Sequence, residues 1–312
     1  MNWNDHISTA ISKANKKIGL MWKLNSDLPR YAVENIYTSF IRPQLEYGCI
    51  LYDNCSKEQN QRLEKLQRRA AVACTRAYNR TNTEKLLEEL GWDTLQKRRS
   101  YFKLIQIYKM MNDLTPGYLK ALLPPQQGFF SRYPSRRRTN LIPVRSKTVK
   151  YQQSFVPSSV KMWNELNENL KQATSLSSFK KAVKTNFFKK KNKLFSQSKG
   201  KWAITHTRMR MGLSPLKQQL FSYKLIDNPY CPHCHLHPET TSHLLLKCNQ
   251  YAASRMELFQ ALGTTLDKLG ITITNEFEMT NLLMKGHEEL SFDENIHLFK
   301  HVQLFISKTN RF

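Results

Sequence analysis

Three thiols and an imidazole fall within one short stretch of this 312-residue chain, at the spacing Cys231-x2-Cys234-x8-His243-x4-Cys248. Zn2+ takes four nitrogen or sulfur ligands in a tetrahedron, and a Cys-x2-Cys turn followed by a His/Cys pair supplies such a set. With all four corners filled by protein, no place is left for a reacting water, so a structural zinc is expected. Pro232 favours a tight turn between the first two thiols. His243 and Cys248, five residues apart, are expected to face the ion from the end of a short helix, with Leu244 to Leu246 packed beneath it. His233, His235 and His237 crowd the same loop, and each can replace His243 as the imidazole or contact phosphate instead. The competing reading is a loop of free thiols that binds nothing.

The second chemistry is charge. The chain carries 49 Lys+Arg against 24 Asp+Glu, a formal net charge of +25. The excess is concentrated, because Ser131 to Lys201 holds 18 basic and 2 acidic residues, a local +16. A polyanion is the partner such a segment selects, with strongly salt-dependent binding. The residues expected to touch nucleic acid are Arg132, Arg136, Arg137, Arg138, Arg145, Lys147, Lys150, Lys189, Lys190, Lys191 and Lys193, joined by Arg208 and Arg210 before the cysteine pattern. Taken alone, each block is a solvated face or a nuclear-localisation-like tract. Phe129, Phe130, Tyr133, Tyr151 and Phe155 interleave with them, and aromatic rings can stack on unpaired bases while Lys and Arg hold the backbone. Phe179, Phe187 and Phe195, at helical spacing, read as core.

Nucleotidyl transfer needs paired carboxylates to hold two cations. The nearest approach to such a signature is Tyr52-Asp53-Asn54, which lacks the second carboxylate. No Gly-rich phosphate loop and no nucleophile elbow occur. From Tyr251 to Phe312 there are 6 basic and 8 acidic residues, a local −2. The carboxylates there, such as Asp267, Glu276, Glu288 and Glu289, form no recognisable site, and a nuclease is the weakest reading. No catalytic residues are expected.

The elements that must position these groups are helical. Ile7, Ala10, Ile11, Ala14, Ile18, Met21 and Trp22 recur at three- and four-residue steps from Trp3 to Leu24. A second helix is expected from Arg30, with Val33, Ile36, Tyr37 and Phe40 on one face, ended or kinked at Pro43. Lys57 to Tyr78 reads as a third, with Leu63, Leu66, Ala70 and Ala73 inside. Thr83 to Leu90 closes at Gly91 as a C-cap, and Asp93 with Gln96 resembles a capping box opening a long helix through Tyr108. Ile142 to Val144 and Thr148 to Phe155 alternate weakly, which allows one hairpin. Pro157 opens a helix marked by Val160, Trp163, Leu166 and Leu170, and others follow at Phe179 to Phe187, the stretch from Trp202, Tyr251 to Leu262, and Ile296 to Ile306, with a short strand at Ile271-Thr-Ile-Thr274. Cys49, Cys55 and Cys74 lie in apolar stretches and read as small buried hydrophobes. Six irregularly spaced cysteines predict no disulfide scaffold, no apolar run reaches membrane-spanning length, and the polar start from Met1 to His6 predicts no secretory signal. A reducing compartment, nucleus and/or cytoplasm, is expected, with no membrane and no small-molecule substrate as partner.

An ordered series of motifs resembles one family. Trp3-Asn-Asp-His-Ile7, Phe40-Ile-Arg-Pro-Gln-Leu-Glu-Tyr47, Leu63-Glu-Lys-Leu-Gln-Arg-Arg-Ala-Ala71 and Leu87-Glu-Glu-Leu-Gly-Trp-Asp-Thr-Leu95 are similar to the segment after the polymerase core in non-LTR (LINE, jockey-like) retrotransposon reverse transcriptases. Ser154-Phe155 to Trp163-Asn164, Ser175-Leu-Ser-Ser-Phe-Lys180, and the cysteine pattern followed by Asn249-Gln-Tyr251 continue the series over about residues 1 to 260. The resemblance implies a thumb-like region, a carboxy-terminal Cys-Cys-His-Cys zinc motif formed by Cys231, Cys234, His243 and Cys248, and a role in gripping template RNA or target DNA. The family's endonuclease and its palm with paired aspartates have no counterpart in these residues, so no polymerase activity carries over and a truncated remnant is expected.

The expected fold is mainly α: a helical thumb-like bundle, a basic helical middle region and a small zinc-binding module. Segments of composition divide it into 1–125 (thumb-like), 126–156 (basic linker or hairpin), 157–200 (basic helical), 201–262 (zinc module with flanking helices) and 263–312 (a weakly specified tail). The expected function is non-catalytic binding of RNA or DNA with structural Zn2+. A zinc scaffold for protein interaction is the alternative.

Overall fold

The computed structural model describes residues 3–129, 139–188, 193–197, 200–271 and 275–312. The fold is mainly α, and the described residues form no strand, only isolated bridges between Gln126 and Leu141 and between Tyr230 and Pro238. In chain order the helices are α1 (Asn4–Leu24), α2 (Arg30–Ile36), α3 (Arg42–Glu46), α4 (Lys57–Thr75), α5 (Thr83–Leu90) and α6 (Leu95–Met111). Then come α7 (Gly117–Lys120), α8 (Val149–Gln152), α9 (Phe155–Glu165), α10 (Glu168–Lys171) and α11 (Leu176–Phe187). The last five are α12 (Lys201–Arg210), α13 (Lys217–Ser222), α14 (Ala252–Leu269), α15 (Glu276–Lys285) and α16 (Phe292–Lys308).

These helices belong to two compact units that cut across the segments of composition. One comprises 1–21, 36–70 and 91–191; the other comprises 22–35, 71–90 and 192–312. Residues 1–125 are therefore divided between both units, and the stretch 263–312, weakly specified by sequence, lies wholly in the second.

In the first unit, α6, α9 and α11 share a core of Leu104, Ile107, Tyr108, Val160, Trp163, Phe179 and Val183. Tyr108 stacks on Phe179 with ring centroids 4.2 Å apart. The Trp163 indole donates to the Thr139 carbonyl at 3.1 Å, so the large ring is buried without stranding its N–H. Asn164 clamps Leu141 by accepting from its N–H at 2.9 Å and donating to its carbonyl at 2.8 Å. That side-chain clamp takes the place of the expected hairpin. Thr148 caps α8 instead, and Leu166 ends α9, which puts Leu170 in the separate turn α10.

Two further sequence expectations shift by one residue. Tyr37–Ile41 is a π-helical turn, and its extra residue passes the buried position from Phe40 to Ile41. Phe40 is 64% exposed and Ile41 is 0%. Pro43 sits in the first turn of α3, where its missing N–H costs no helical bond. The cap of α6 is Thr94, which accepts from the Lys97 N–H at 3.2 Å, while Asp93 holds the Lys97 ammonium at 2.7 Å.

The second unit buries an ionic cluster. Glu89 accepts from Arg30 at 2.7 Å and from both nitrogens of the Arg210 fork at 2.7 and 2.9 Å, and Arg30 also holds Glu34 at 2.9 Å. Burial by itself raises the Glu89 pKa, but the Arg210 and Arg30 guanidiniums overcome it and hold the carboxyl below its ordinary value. A depressed folded pKa gives stability that is present above the unfolded carboxylate range and lost as pH falls through the folded value. The denaturation midpoint of this unit should therefore stay level down to about pH 5 and fall below about pH 4. Glu89→Gln, which leaves two buried guanidiniums facing a neutral amide, should cost about 3–5 kcal/mol at neutral pH and flatten that acid limb. Urea titrations at several pH values check both.

Candidate metal centre

A short hairpin-like loop and a π-turn bring the four ligands together. The Cys231 N–H donates to the His237 carbonyl at 2.8 Å, and the Glu239 N–H donates to the Pro229 carbonyl at 2.9 Å. Between them the chain reverses through His235, whose φ of 56° lies in the left-handed region, and the His235 N–H returns to the Cys231 carbonyl at 3.0 Å. That reversal carries Cys231 and Cys234. The other pair rides on the π-turn His243–Lys247, opened by the Thr240 hydroxyl accepting from the His243 N–H at 3.0 Å. It is closed by the Cys248 N–H on the His243 carbonyl at 2.9 Å. In an α-helix, residues five apart point about 140° away from each other. A π-turn, bonded from i to i+5, brings them back towards one side.

The ligand atoms of Cys231, Cys234, His243 and Cys248 all lie within 4.8 Å of one another. The Cys231 and Cys248 sulfurs are 3.8 Å apart, and the Cys234 sulfur is 3.4 Å from His243 Nε2. Zn–S and Zn–N bonds of ordinary length set tetrahedral edges of about 3.8 Å and about 3.5 Å for these two pairs. A disulfide would need about 2.05 Å. The residues present therefore fit a tetrahedral cation. Cys231, His243 and Cys248 are buried and Cys234 is partly so, which withdraws three of the four ligands from bulk water. Of the four candidate imidazoles, the structure selects His243, while His233, His235 and His237 stay exposed.

The local electrostatics favour the ligand form at Cys234 and His243 and oppose it at Cys248, whose thiolate would need the cation's charge to offset burial. The Leu236 amide, aided by that of His237 and opposed by burial, holds the Cys234 thiol below its ordinary value. Burial pushes the Cys248 thiol up to about 11 and lowers His243, which favours the neutral imidazole that coordination requires.

Residues far off in sequence brace the centre. Arg255, on α14, donates to the carbonyls of Leu245 at 2.8 Å and Cys248 at 2.7 Å, capping the π-turn. Glu239, fully buried, accepts a fork from Arg311 at 2.5 and 2.8 Å and the Lys217 N–H at 2.7 Å. Cys231, Leu244, Leu245, Cys248 and Tyr251 belong to one core with Leu258, Leu262, Leu283, Phe299 and Phe305 of α14 to α16. Leu246 packs against it as well. Reading the sequence missed Arg255, Glu239 and Arg311, because no spacing rule links them to the cysteines.

The basic residues divide. Arg145, Lys147 and Lys150 are exposed in the first unit. Arg208 is half-buried, donates to the Arg76 carbonyl at 2.8 Å, and lies 4.5 Å from the centre of the Tyr78 ring. Arg210 is turned inward: Glu89 and the Met284 carbonyl occupy its fork, and Phe195 lies 3.8 Å beneath it. It has no fork to offer a phosphate. Arg132, Arg136, Arg137, Arg138, Lys189, Lys190 and Lys191 lie outside the described residues, as do the Lys193 side chain, Phe130, Tyr133 and the expected strand through Thr274. Cys49 and Cys74 are buried and outside any disulfide as expected, while Cys55 is only partly buried. Asp53 is held by Arg99 at 2.7 Å and by Lys103. Among the described residues no second cluster of three or more His, Cys, Asp or Glu ligands occurs, and no helix is long and apolar enough to cross a membrane.

Compared with known proteins, the chain matches no family model, no curated protein and no solved structure.

Titration of the chelated protein with Co2+ should give an intense sulfur-to-metal charge-transfer band together with tetrahedral visible bands. Cys231→Ser should weaken both and lower the calorimetric midpoint of the second unit. An unchanged spectrum in that variant would remove Cys231 from the ligand set.

Proposed function

We propose that this chain binds nucleic acid through exposed lysines and arginines, on a helical scaffold whose second unit is fixed by a structural zinc ion. The convergence of three sulfurs and one imidazole at tetrahedral spacing carries the reading. A donor set of three thiolates and a neutral imidazole is one that Zn2+ takes readily, and a complete set of four leaves the metal no reacting position. The charge of +25 supplies the attraction to phosphate. Arg145, Lys147 and Lys150 are exposed and available for it. Contacts of this kind position a polyanion without reading its sequence.

The resemblance to the region following the polymerase core of non-LTR retrotransposon reverse transcriptases gives this binding a context. Holding template RNA or target DNA is what such a region contributes, and no catalytic step is assigned to the residues described.

Affinity for RNA and DNA should fall steeply as salt rises, with a log–log slope of several units, and the protein should contain stoichiometric zinc by elemental analysis. A slope near zero would move the chain to the alternative of a protein-binding scaffold.

A further inference from the structure

The first unit contains an open groove of about 1250 Å3, lined by the start of α4, the first turns of α6, the α8–α9 segment and the stretches around Gln127 and Asn140. Much of its lining comes from the basic segment Ser131 to Lys201, but it includes none of the lysines and arginines named above for nucleic acid and none of the metal-centre residues. Its volume exceeds the roughly 300–1,000 Å3 of a pocket for a drug-sized molecule, so it suits a length of chain.

The chemistry of the groove is cationic and rich in amides. Lys57, Lys103 and Lys161 line it, against Asp53 and Glu165. Beside them Arg99 is also buried, and Asp53 is the one carboxylate paired with both Arg99 and Lys103. Two buried cations on a single carboxylate leave a unit of positive charge unbalanced, a costly arrangement that an anion in the groove would relieve. Lys103 gives one further bond, to the Ser158 hydroxyl at 2.7 Å. An ammonium carries three donors, which leaves it one for a ligand. Lys161 is exposed and only loosely paired with Glu165, at 4.0 Å. Gln61, Gln96, Gln152 and Gln153 line the groove with exposed side chains. Each of these amides offers a donor and an acceptor at once, the combination that matches base edges and ribose hydroxyls.

From the unbalanced Arg99–Asp53–Lys103 cluster in a groove walled by exposed glutamine amides, we infer that this groove is a binding site for a single-stranded polynucleotide. The inference rests on the nucleic-acid reading above and locates part of it. Phosphates lie along Lys57, Lys103 and Lys161, and the amides face bases and sugars. Among the described residues no aromatic ring lines the groove, and the contacts assigned to the strand are ionic contacts and hydrogen bonds. A duplex keeps its base edges within its own grooves, away from these amides.

The test uses the full chain with zinc and a short fluorescein-labelled single-stranded RNA, followed by anisotropy across a salt series. Lys57→Ala/Lys161→Ala should weaken binding about tenfold or more and lower the log–log salt slope by about 1.4. Gln152→Glu/Gln153→Glu, at two exposed positions that disturb no core contact, should weaken it comparably by repelling phosphate. Lys13→Ala/Lys16→Ala, an equal loss of exposed charge on α1, is the control and should change affinity much less. If the wild type binds and the groove and control variants lose equally, the groove assignment is overturned while general nucleic-acid binding stands. If the wild type binds no RNA or DNA at any salt, both readings fall. Displacement of the RNA by poly-glutamate at matched charge as readily as by unlabelled RNA would overturn the assignment to nucleotides, as would equal competition by duplex of the same length. Ultraviolet cross-links from 4-thiouridine RNA should map to peptides containing Gln61, Gln96 or Gln152.

Discussion

Burying sulfur atoms at metal distance, and holding them there, is the constraint on which the second unit depends. Cys231 and Cys248 are 0% and 1% exposed, with sulfurs 3.8 Å apart. They sit among Leu244, Leu245, Leu258 and Leu262, which offer no counter-charge. Without a cation, those sulfurs would rest on weak S–H···S contacts such as the one at 3.8 Å, out of reach of water. With one, the hairpin-like loop and the π-turn become a single cross-linked element. The leucines of the π-turn then dock on α14 to α16 as one surface. On the proposed reading, metal capture and folding of this unit would be coupled, as in small zinc modules whose site does not exist in the unfolded chain.

The same demand for compensation governs the fixed charges. Glu89 is surrounded by Arg30 and Arg210, and Glu239 is forked by Arg311. Lys171 is buried against Asn140 and Glu168, at 2.6 and 2.8 Å. These cations count towards the net charge of the chain, yet each is committed to an internal partner. Composition alone therefore overstates the surface that a polyanion can use. What separates the two classes is the partner of each guanidinium or ammonium, which sequence does not disclose.

Much of the fold and of the site was nevertheless legible. Periodicity located α1, α4, α6, α11 and α16, because each has an apolar stripe long enough to outweigh local exceptions. The ligand set was legible because metal coordination is local in sequence. The failures share a physical origin in groups that act across long separations or break the helical period. The π-turn at Tyr37–Ile41 moved burial from Phe40 to Ile41, and nothing in Tyr-Thr-Ser-Phe-Ile signals the extra residue. Gly286, which ends α15 at a φ of 75°, lies against Asn295, and that side chain ties the α15–α16 connection through the His287 and Leu290 carbonyls. These contacts give order to a stretch whose sequence looked weakly specified. Arg210 was read as a phosphate ligand because it follows Arg208 and Met209, but the residue that captures it, Glu89, is far away in the chain.

The metal centre and the nucleic-acid reading are connected by shape more than by charge. With zinc bound as proposed, three thiolates and a neutral imidazole would leave the centre one unit negative, so the centre itself would repel phosphate. Its contribution to the proposed binding would be indirect, through keeping α12 to α16 folded. The attraction would have to come from cations without an internal carboxylate, such as Arg145, Lys147 and Lys150, and from clusters where cations outnumber carboxylates, as at Asp53. A chain organised in this way would lose its metal and its fold together, or lose affinity while its fold persists. The two failures are separable because different residues carry them.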